Sequence, residues 1–377
     1  MNNLGLYIHI PFCLQKCRYC DFYSLPCGRE TGEAYIEKVC GQIDTLSALC
    51  VGRNVDTVYI GGGTPSILDP RCIVRLMKKI GERFSLMRDA EITIEANPAT
   101  VSAQALEAYR AAGINRISFG VQSYDDETLH RIGRLHSFAD ALDSIGTARD
   151  AGFENISADL MYALPGQKDD EIENAFRALL PLGITHISLY GLKIEENTPF
   201  GRDKTLILPD EDAQCAAYLS AVELFEKQGF AQYEISNFAR PGFESRHNLR
   251  YWRREEYLGF GPAAHSFFGG VRFSIGRDLK KYMACEDFSL SSDIYENKQS
   301  VDAEEAFSEE LMLLLRLKAG FPRDRFLARV KDRTYAERYL QMLEKNGLCG
   351  LTGENFALTP RGMLVSNSII SDLQLLL

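Results

Sequence analysis

Apolar, β-branched runs recur along the first half of the chain, and each is followed by a stretch with helical spacing. The runs at 6–10, 57–60, 91–96, 116–121, 156–162 and 186–192 lack the strict alternation of a one-sided strand. They predict strands buried on both faces. Between them, apolar positions recur at helical intervals over 33–49, 72–84, 103–112, 139–151 and 170–180. Gly113 and Gly152 fall where two of these helices should stop. Six β units in βα order predict a parallel sheet with helical crossovers. Six is short of the eight in a closed barrel. Order alone leaves an open partial barrel and a doubly wound sheet both standing.

The pattern changes after residue 210. A helix is predicted over 211–228, and it leads into "YEISNFARPGFESRHNLRYWRREEYLGFGPAAHSFFGG". That stretch is rich in aromatics, Gly and Arg and has little periodicity, which in a compact protein points to a functional segment. Residues 291–300 are polar and read as a linker. In the tail, the helical stretches "FSEELMLLLRLKAG" and "YAERYLQMLEKNGL" precede "FALTPRGMLVSNSII". Two helices, a short β-like wing and a last helix predict a small appended α/β domain. The domains expected are 1–230, then 231–300 as the aromatic and Arg-rich segment with its linker, then 301–377.

Composition narrows the function classes. The 377 residues carry a net charge of −10, which argues against a broad nucleic-acid-binding face. No apolar run approaches the ~20 residues of a membrane span, and the start lacks the basic and apolar regions of a signal peptide. A cytoplasmic protein is expected. Ten cysteines in a chain of this length do not make a disulfide scaffold. Cys27, Cys40, Cys50, Cys72, Cys215, Cys285 and Cys349 are scattered and read as small apolar residues.

The other three cysteines carry chemistry. "YIHIPFCLQKCRYCDFYS" places Cys13, Cys17 and Cys20 as C-x3-C-x2-C directly after the first strand. Zinc would need a fourth ligand, for which Cys27 and His9 are within reach in sequence. A [4Fe–4S] cluster on three thiolates leaves one iron open to a chelating small molecule. The amino and carboxylate groups of S-adenosylmethionine (SAM) suit that place. "GGGTPS" after the second strand lets backbone N–H and C=O groups approach a ligand, and no Gly-Lys-Ser/Thr follows to make a phosphate loop. Glu95, Gln122 and Asp159 belong to the third, fourth and fifth strands, where ligands of parallel sheets gather at carboxyl ends. A structural pairing with nearby loop backbone is the alternative for each.

"YIHIPFC", "YCDF", "GGGTPS" and "HNLRYW", in that order, resemble the radical SAM superfamily and within it the HemN/HemW family, on its heme-chaperone side. The resemblance runs through nearly the whole chain, including the tail. It implies an α/β fold, a partial (βα)6 radical SAM barrel with a winged-helix-like C-terminal domain. It implies a [4Fe–4S] cluster on Cys13, Cys17 and Cys20. It implies SAM contacts from Gly62, Gly63, Thr64, Glu95, Gln122, Arg134 and Asp159, and aromatic contacts near the cluster from Tyr7 and Tyr19. An electron donor for the cluster is implied as well.

Two departures bear on the activity. Coproporphyrinogen oxidase relatives carry a further cysteine two positions after the third, where this chain has Phe22. They also carry a longer N-terminal extension, whereas twelve residues precede Cys13 here. Both favour a chaperone that binds heme and passes it to acceptor proteins over an active oxidase. A radical SAM enzyme acting on porphyrins is the alternative. Heme needs an iron ligand and an apolar slot. His247 is the first candidate ligand and His265 the second. Tyr251 and Trp252 are suited to stack on the porphyrin, and Arg246, Arg250, Arg253 and Arg254 to pair with propionates. A hydrogen-bonded structural histidine is the competing reading of His247.

Overall fold

The computed structural model describes residues 3–26 and 28–377. They fall into two compact units, one of Met1–Pro209 with Glu256–Ser300, the other of Asp210–Glu255 with Val301–Leu377.

The first unit is built on six parallel strands: β1 (Leu4–Ile10), β2 (Asn54–Gly62), β3 (Ser85–Ala96), β4 (Arg116–Gln122), β5 (Asn155–Tyr162) and β6 (His186–Gly191). Each pairs with the next in sequence. A doubly wound sheet would reverse its strand order partway. The unbroken order settles the choice in favour of the open barrel. The strands are buried almost throughout, and Leu6, Ile8, Ile10, Val58, Ile60, Ile94 and Ile117 are fully so. That burial is why they read as continuous apolar runs. The crossover helices include Arg29–Leu46, Pro70–Arg83, Ala103–Ala111, Phe138–Asp150 and Glu171–Leu179. Side chains that accept from the first free N–H groups start three of them. Asp69 accepts from Arg71, Ser102 from Ala105, and Ser137 forms a capping box with Asp140.

β3 begins six residues before its expected start. Its first half is largely exposed and mixed in polarity, so apolar content marked only the buried half. After a hairpin in the second unit, β7 (Ala231–Gln232) with β8 (Asn237–Ala239), the chain returns to the first unit as β9 (Tyr257–Phe260). β9 pairs parallel with β1. β10 (His265–Phe268), β11 (Val271–Ile275) and β12 (Tyr295–Ser300) then extend that edge antiparallel. The linker expected at 291–300 is therefore corrected. Its second part is an edge strand, and it reads as polar because every residue after Tyr295 is exposed. Charged edge strands also resist pairing with other chains.

In the second unit, the helix Glu211–Lys227 precedes the hairpin, and the short helix Arg246–Trp252 follows it. The remaining residues contribute the helices Ala303–Leu314, Arg333–Lys345 and Ser366–Leu375. They also form a small antiparallel sheet of β13 (Phe321–Pro322), β15 (Asn355–Leu358) and β14 (Cys349–Thr352), in that order. Phe307, Leu311, Phe321, Phe326, Leu340 and Phe356 form its core.

Leu311 is fully buried in that core. Leu311→Ala should therefore destabilise the unit by roughly 2–5 kcal/mol, the cost of lost transfer energy plus a cavity. Trp252 is the chain's one tryptophan and belongs to the same unit, so its fluorescence in a denaturant titration reads the result directly.

Candidate functional site: a cysteine loop stapled to a glycine loop

β1 ends at Ile10, and the chain enters the cysteine loop through Pro11 and Phe12. Phe12 is fully buried, edge-on to Tyr35 with ring centroids 5.1 Å apart. The loop then closes on itself. The Cys13 N–H donates to the Leu25 carbonyl at 3.0 Å, and the Leu25 N–H donates to the Pro11 carbonyl at 2.9 Å. Three further bonds pin its middle. The Arg18 N–H donates to Ile132 (3.0 Å), the Gln15 amide to Gly133 (3.2 Å), and the Phe200 N–H to the Arg18 carbonyl (3.0 Å). Cys13, Cys17 and Cys20 are all partly exposed on this frame.

The Cys13 Sγ lies 3.5 Å from the Thr64 hydroxyl, and the Cys17 Sγ accepts from Arg134 Nη1 at 3.6 Å. Burial pushes the Cys20 thiol up, and the nearby Cys17 and Cys13 thiols add to that shift. The loop thus brings three thiols within electrostatic reach of one another. Among the described residues, no three His, Cys, Asp or Glu side chains stand at metal-binding distances. Cys27, one offered fourth zinc ligand, lies outside the described residues. His9, the other, is engaged at both ring nitrogens, with the Tyr7 hydroxyl on Nδ1 and the Tyr23 carbonyl on Nε2, each at 3.0 Å. Burial holds its imidazole down at about 4.

The glycine loop sits directly against the base of the cysteine loop. The Gly63 N–H donates to the Ile10 carbonyl at 2.8 Å, and the Thr64 N–H to the Phe12 carbonyl at 2.7 Å. A Cβ on Gly63 would stand 2.4 Å from the Phe12 carbonyl oxygen. At Gly62, φ is +113°, and a Cβ would meet the His9 ring at 2.5 Å. These glycines are required by close backbone approach inside the protein, beyond any contact with a ligand.

Glu95 joins this loop to β3. Its carboxylate accepts from the Tyr59 hydroxyl at 2.7 Å and from the Gly62 N–H at 3.0 Å. Burial raises its carboxyl to about 7, against the lowering effect of the Tyr59 bond. Tyr7, on the neighbouring strand, is pushed far up by burial and then by Glu95. Burial also raises Asp159, opposed by the Ser188 and Ser118 hydroxyls and by Arg116. Ser118 Oγ lies 3.1 Å away. Gln122 closes β4 with φ of +74°, a left-handed conformation unusual for a side chain of its size. Arg134 donates to the Gly120 carbonyl at 2.5 Å as well as to Cys17, while its buried Nε has no hydrogen-bond partner. Tyr19 lies beside Cys17, and burial followed by that thiol pushes its hydroxyl far up.

The first unit therefore gathers Tyr7, Tyr19, Gly62, Gly63, Thr64, Glu95, Arg134 and the three cysteines into one connected set. Asp159 and Gln122 stand at adjacent strands. Two members were not singled out from sequence. Arg116 is 1% exposed in β4 and lowers both Glu95 and Asp159, and an arginine inside an apolar strand was the available signal. Tyr59 gave none, because a strand tyrosine is ordinary. The three thiols, with the nearby His9 engaged at both ring nitrogens, fit a group that takes three soft thiolates and one outside ligand. The buried Arg134 Nε, without a hydrogen-bond partner on a guanidinium that reaches the Cys17 sulfur, points the same way.

The aromatic and Arg-rich segment is arranged differently. His247 is fully buried, and its Nε2 lies 2.8 Å from the Tyr251 hydroxyl one helical turn on. A ring enclosed in this way offers its Nε2 to an outside iron only by leaving that bond. Arg250 pairs with Glu255 at 3.3 Å and Arg254 with Glu309 at 3.0 Å. Arg246 and Arg253 are exposed. His265 is exposed at the start of β10 in the first unit.

Comparison with known proteins agrees with this geometry. Residues 7–179 match the model of the radical SAM superfamily, and residues 301–365 that of the HemN C-terminal domain. A protein of Escherichia coli (strain K12) named heme chaperone HemW is 39% identical over 327 residues, 86% of this chain and 85% of its own. A Bacillus subtilis (strain 168) protein of the same name is 36% identical over 96% of this chain and 97% of its own. The solved structure of the Escherichia coli coproporphyrinogen III oxidase HemN, a radical SAM enzyme, superposes with a TM-score of 0.85. It covers 100% of this chain and 91% of its own at 23% identity, a likeness of fold.

Two outcomes follow from the site. Gly63→Ala should destabilise the protein by about 1–3 kcal/mol, because the obstacle is backbone. Gly81→Ala, in a helix where a Cβ meets nothing within 4 Å, should instead stabilise it by about 0.5–1 kcal/mol. Paired thermal denaturation curves read both. Glu95 titrates near 7 when folded and near 4.5 when unfolded. Its contribution to stability is then complete below about 4.5 and lost as pH rises through about 7. Glu95→Gln should remove that slope and leave the variant more stable above pH 7 by on the order of 1–3 kcal/mol. Denaturation measured from about pH 4 to about 8 brackets that window, and a parallel slope in both proteins would contradict the assignment.

Proposed function

The chain belongs to the HemN/HemW family of the radical SAM superfamily, and from that premise we propose that it binds heme and passes it to acceptor proteins, holding a [4Fe–4S] cluster and SAM at the cysteine and glycine loops. The observation that carries the heme reading is identity along 96% of the chain to a protein named a heme chaperone. The stapled loops carry the cofactor reading. When bound, the cluster supplies an electron to the sulfonium centre of SAM.

The protein's own residues hold and orient. Cys13, Cys17 and Cys20 are the iron ligands. Arg134 holds the Cys17 sulfur by a hydrogen bond from Nη1 at 3.6 Å and so fixes that ligand's position. The Gly62–Gly63 segment and the carboxylate of Glu95, already joined by the Gly62 N–H, would hold the amino end of SAM. A carboxyl that titrates near 7 gives up its proton readily when an ammonium arrives beside it. Asp159 and Gln122, at the next two strands, are placed for the rest of the molecule, and Tyr7 and Tyr19 shield the loop. The electron donor, the acceptor proteins and a cytoplasmic setting complete the proposal. Oxidase activity has no support beyond a shared fold.

One anaerobically reconstituted sample should distinguish these readings. The wild type is expected to show the visible absorbance of thiolate-bound iron, to take up heme, and to leave coproporphyrinogen carboxyl groups intact. Cys13→Ala, Cys17→Ala and Cys20→Ala should each lose the iron absorbance, and Cys215→Ala should keep it. Decarboxylation at the rate of an authentic oxidase would overturn the carrier reading.

A further inference from the structure

The sequence holds six histidines, and their burial decides which can meet an iron from outside. His9, His136, His186 and His247 are at most 5% exposed. Only His130 and His265 present exposed side chains. His130 lines a groove with Gln15, Arg18, Asp126, Glu127, Arg131 and Gly133, where two carboxylates offset two arginines. His265 pairs with Ser274 across β10 and β11, three residues before Arg277. Arg277 is close enough to depress the His265 imidazole, second only to burial. Its guanidinium is 61% exposed and lies 3.8 Å from Asp21, a weak surface pair that leaves the cation available. Lys193 is exposed, pairs with Glu195 at 2.6 Å and lies within weaker electrostatic reach of the same Asp21.

Phe22 follows Asp21 and is 69% exposed, the residue found where oxidase relatives carry a cysteine. Its two neighbours tie it to the His265 edge. Asp21 meets Arg277, and the Tyr23 hydroxyl accepts from the Leu279 N–H at 2.9 Å. The first unit thus brings an open imidazole, two cations and a bare aromatic ring to one rim of the cysteine loop. These are the parts needed for an iron, two carboxylates and a flat apolar macrocycle.

Resting on the heme-carrier reading above, we propose that heme binds at this rim, with His265 as the iron ligand, Arg277 and Lys193 on the propionates, and Phe22 against the porphyrin face. His247 then acts as an internal brace of its helix. Because His265 and Phe22 are exposed, the heme is held open to an acceptor, as a carrier requires.

The test is titration of the full-length protein with hemin, followed by absorbance and electron paramagnetic resonance. The wild type should show an imidazole-ligated iron. His265→Ala should lower affinity by about tenfold or more and lose that signature, and added imidazole should restore it. Arg277→Glu should weaken binding several-fold and keep the signature. An unchanged spectrum and affinity in His265→Ala would overturn the assignment while leaving the carrier reading intact. So would a wild-type complex without an imidazole ligand. A wild type that takes up no hemin would remove the carrier reading itself.

Discussion

The apposition of two backbone segments governs the site. The cysteine loop leaves β1 and the glycine loop leaves β2, and these strands are parallel neighbours in register to their ends, Ile10 opposite Gly62. Two N–H···O=C bonds then continue the ladder past the sheet, from Gly63 to Ile10 and from Thr64 to Phe12. The extension is possible only without side chains, since a Cβ at Gly63 would stand 2.4 Å from a carbonyl oxygen. Everything that positions Cys13 depends on it. Thr64, fixed by its backbone bond, brings its hydroxyl to the Cys13 sulfur. Phe12, which supplies the carbonyl, is locked from behind by Tyr35. A site carried by an excursion between Ile10 and the helix that begins at Arg29 would otherwise be loose.

Beyond that staple lies a concentration of buried charge. Glu95, Asp159, Arg116 and Arg134 come from three adjacent strands and the segment after β4. Burial disfavours the anions, and Arg116 offsets part of the penalty at both carboxyls. Such groups add little to folding stability, since desolvation consumes most of the Coulombic gain. The arrangement makes sense for a ligand that carries its own charges. On the function proposed above, an ammonium at Glu95 would supply the counter-charge that the fold withholds, and the cost borne by the unbound protein would be recovered as affinity.

The barrel was legible because parallel strands buried on both faces leave continuous apolar runs, and the six runs named from sequence are the six strands observed. The strand order that separates an open barrel from a doubly wound sheet was not legible, because it is a property of pairing. The exposed beginning of β3 and the polar strand β12 were missed for one reason: apolar content detects burial, and neither segment is buried. At the site, the glycines were expected to admit a ligand, and the atoms pressed against them are the His9 ring and the Phe12 carbonyl of the protein itself. His247 shows the limit most plainly. Nothing in "HNLRYW" tells whether its imidazole faces outward or, as here, toward Tyr251. Burial is set by the elements packed around the helix, and these lie far away in sequence.

Two strand ends show how the chain turns its side chains toward the site. Gln122 at the end of β4 and Ala163 just after β5 have φ of +74° and +61°. For residues with a Cβ this conformation costs on the order of 1 kcal/mol each. At β4 the cost coincides with a break in register, where Gly120 faces Asp159 but Gln122 faces Leu160. The irregularity bares the Gly120 carbonyl to Arg134, which holds it at 2.5 Å while reaching Cys17 with its other terminal nitrogen. Gly120 has no room for more, since a Cβ there would stand 2.9 Å from that same Arg134 nitrogen. One strained residue therefore connects the sheet to the cysteine loop through a single guanidinium, and strain at that point is a condition of the thiol's environment.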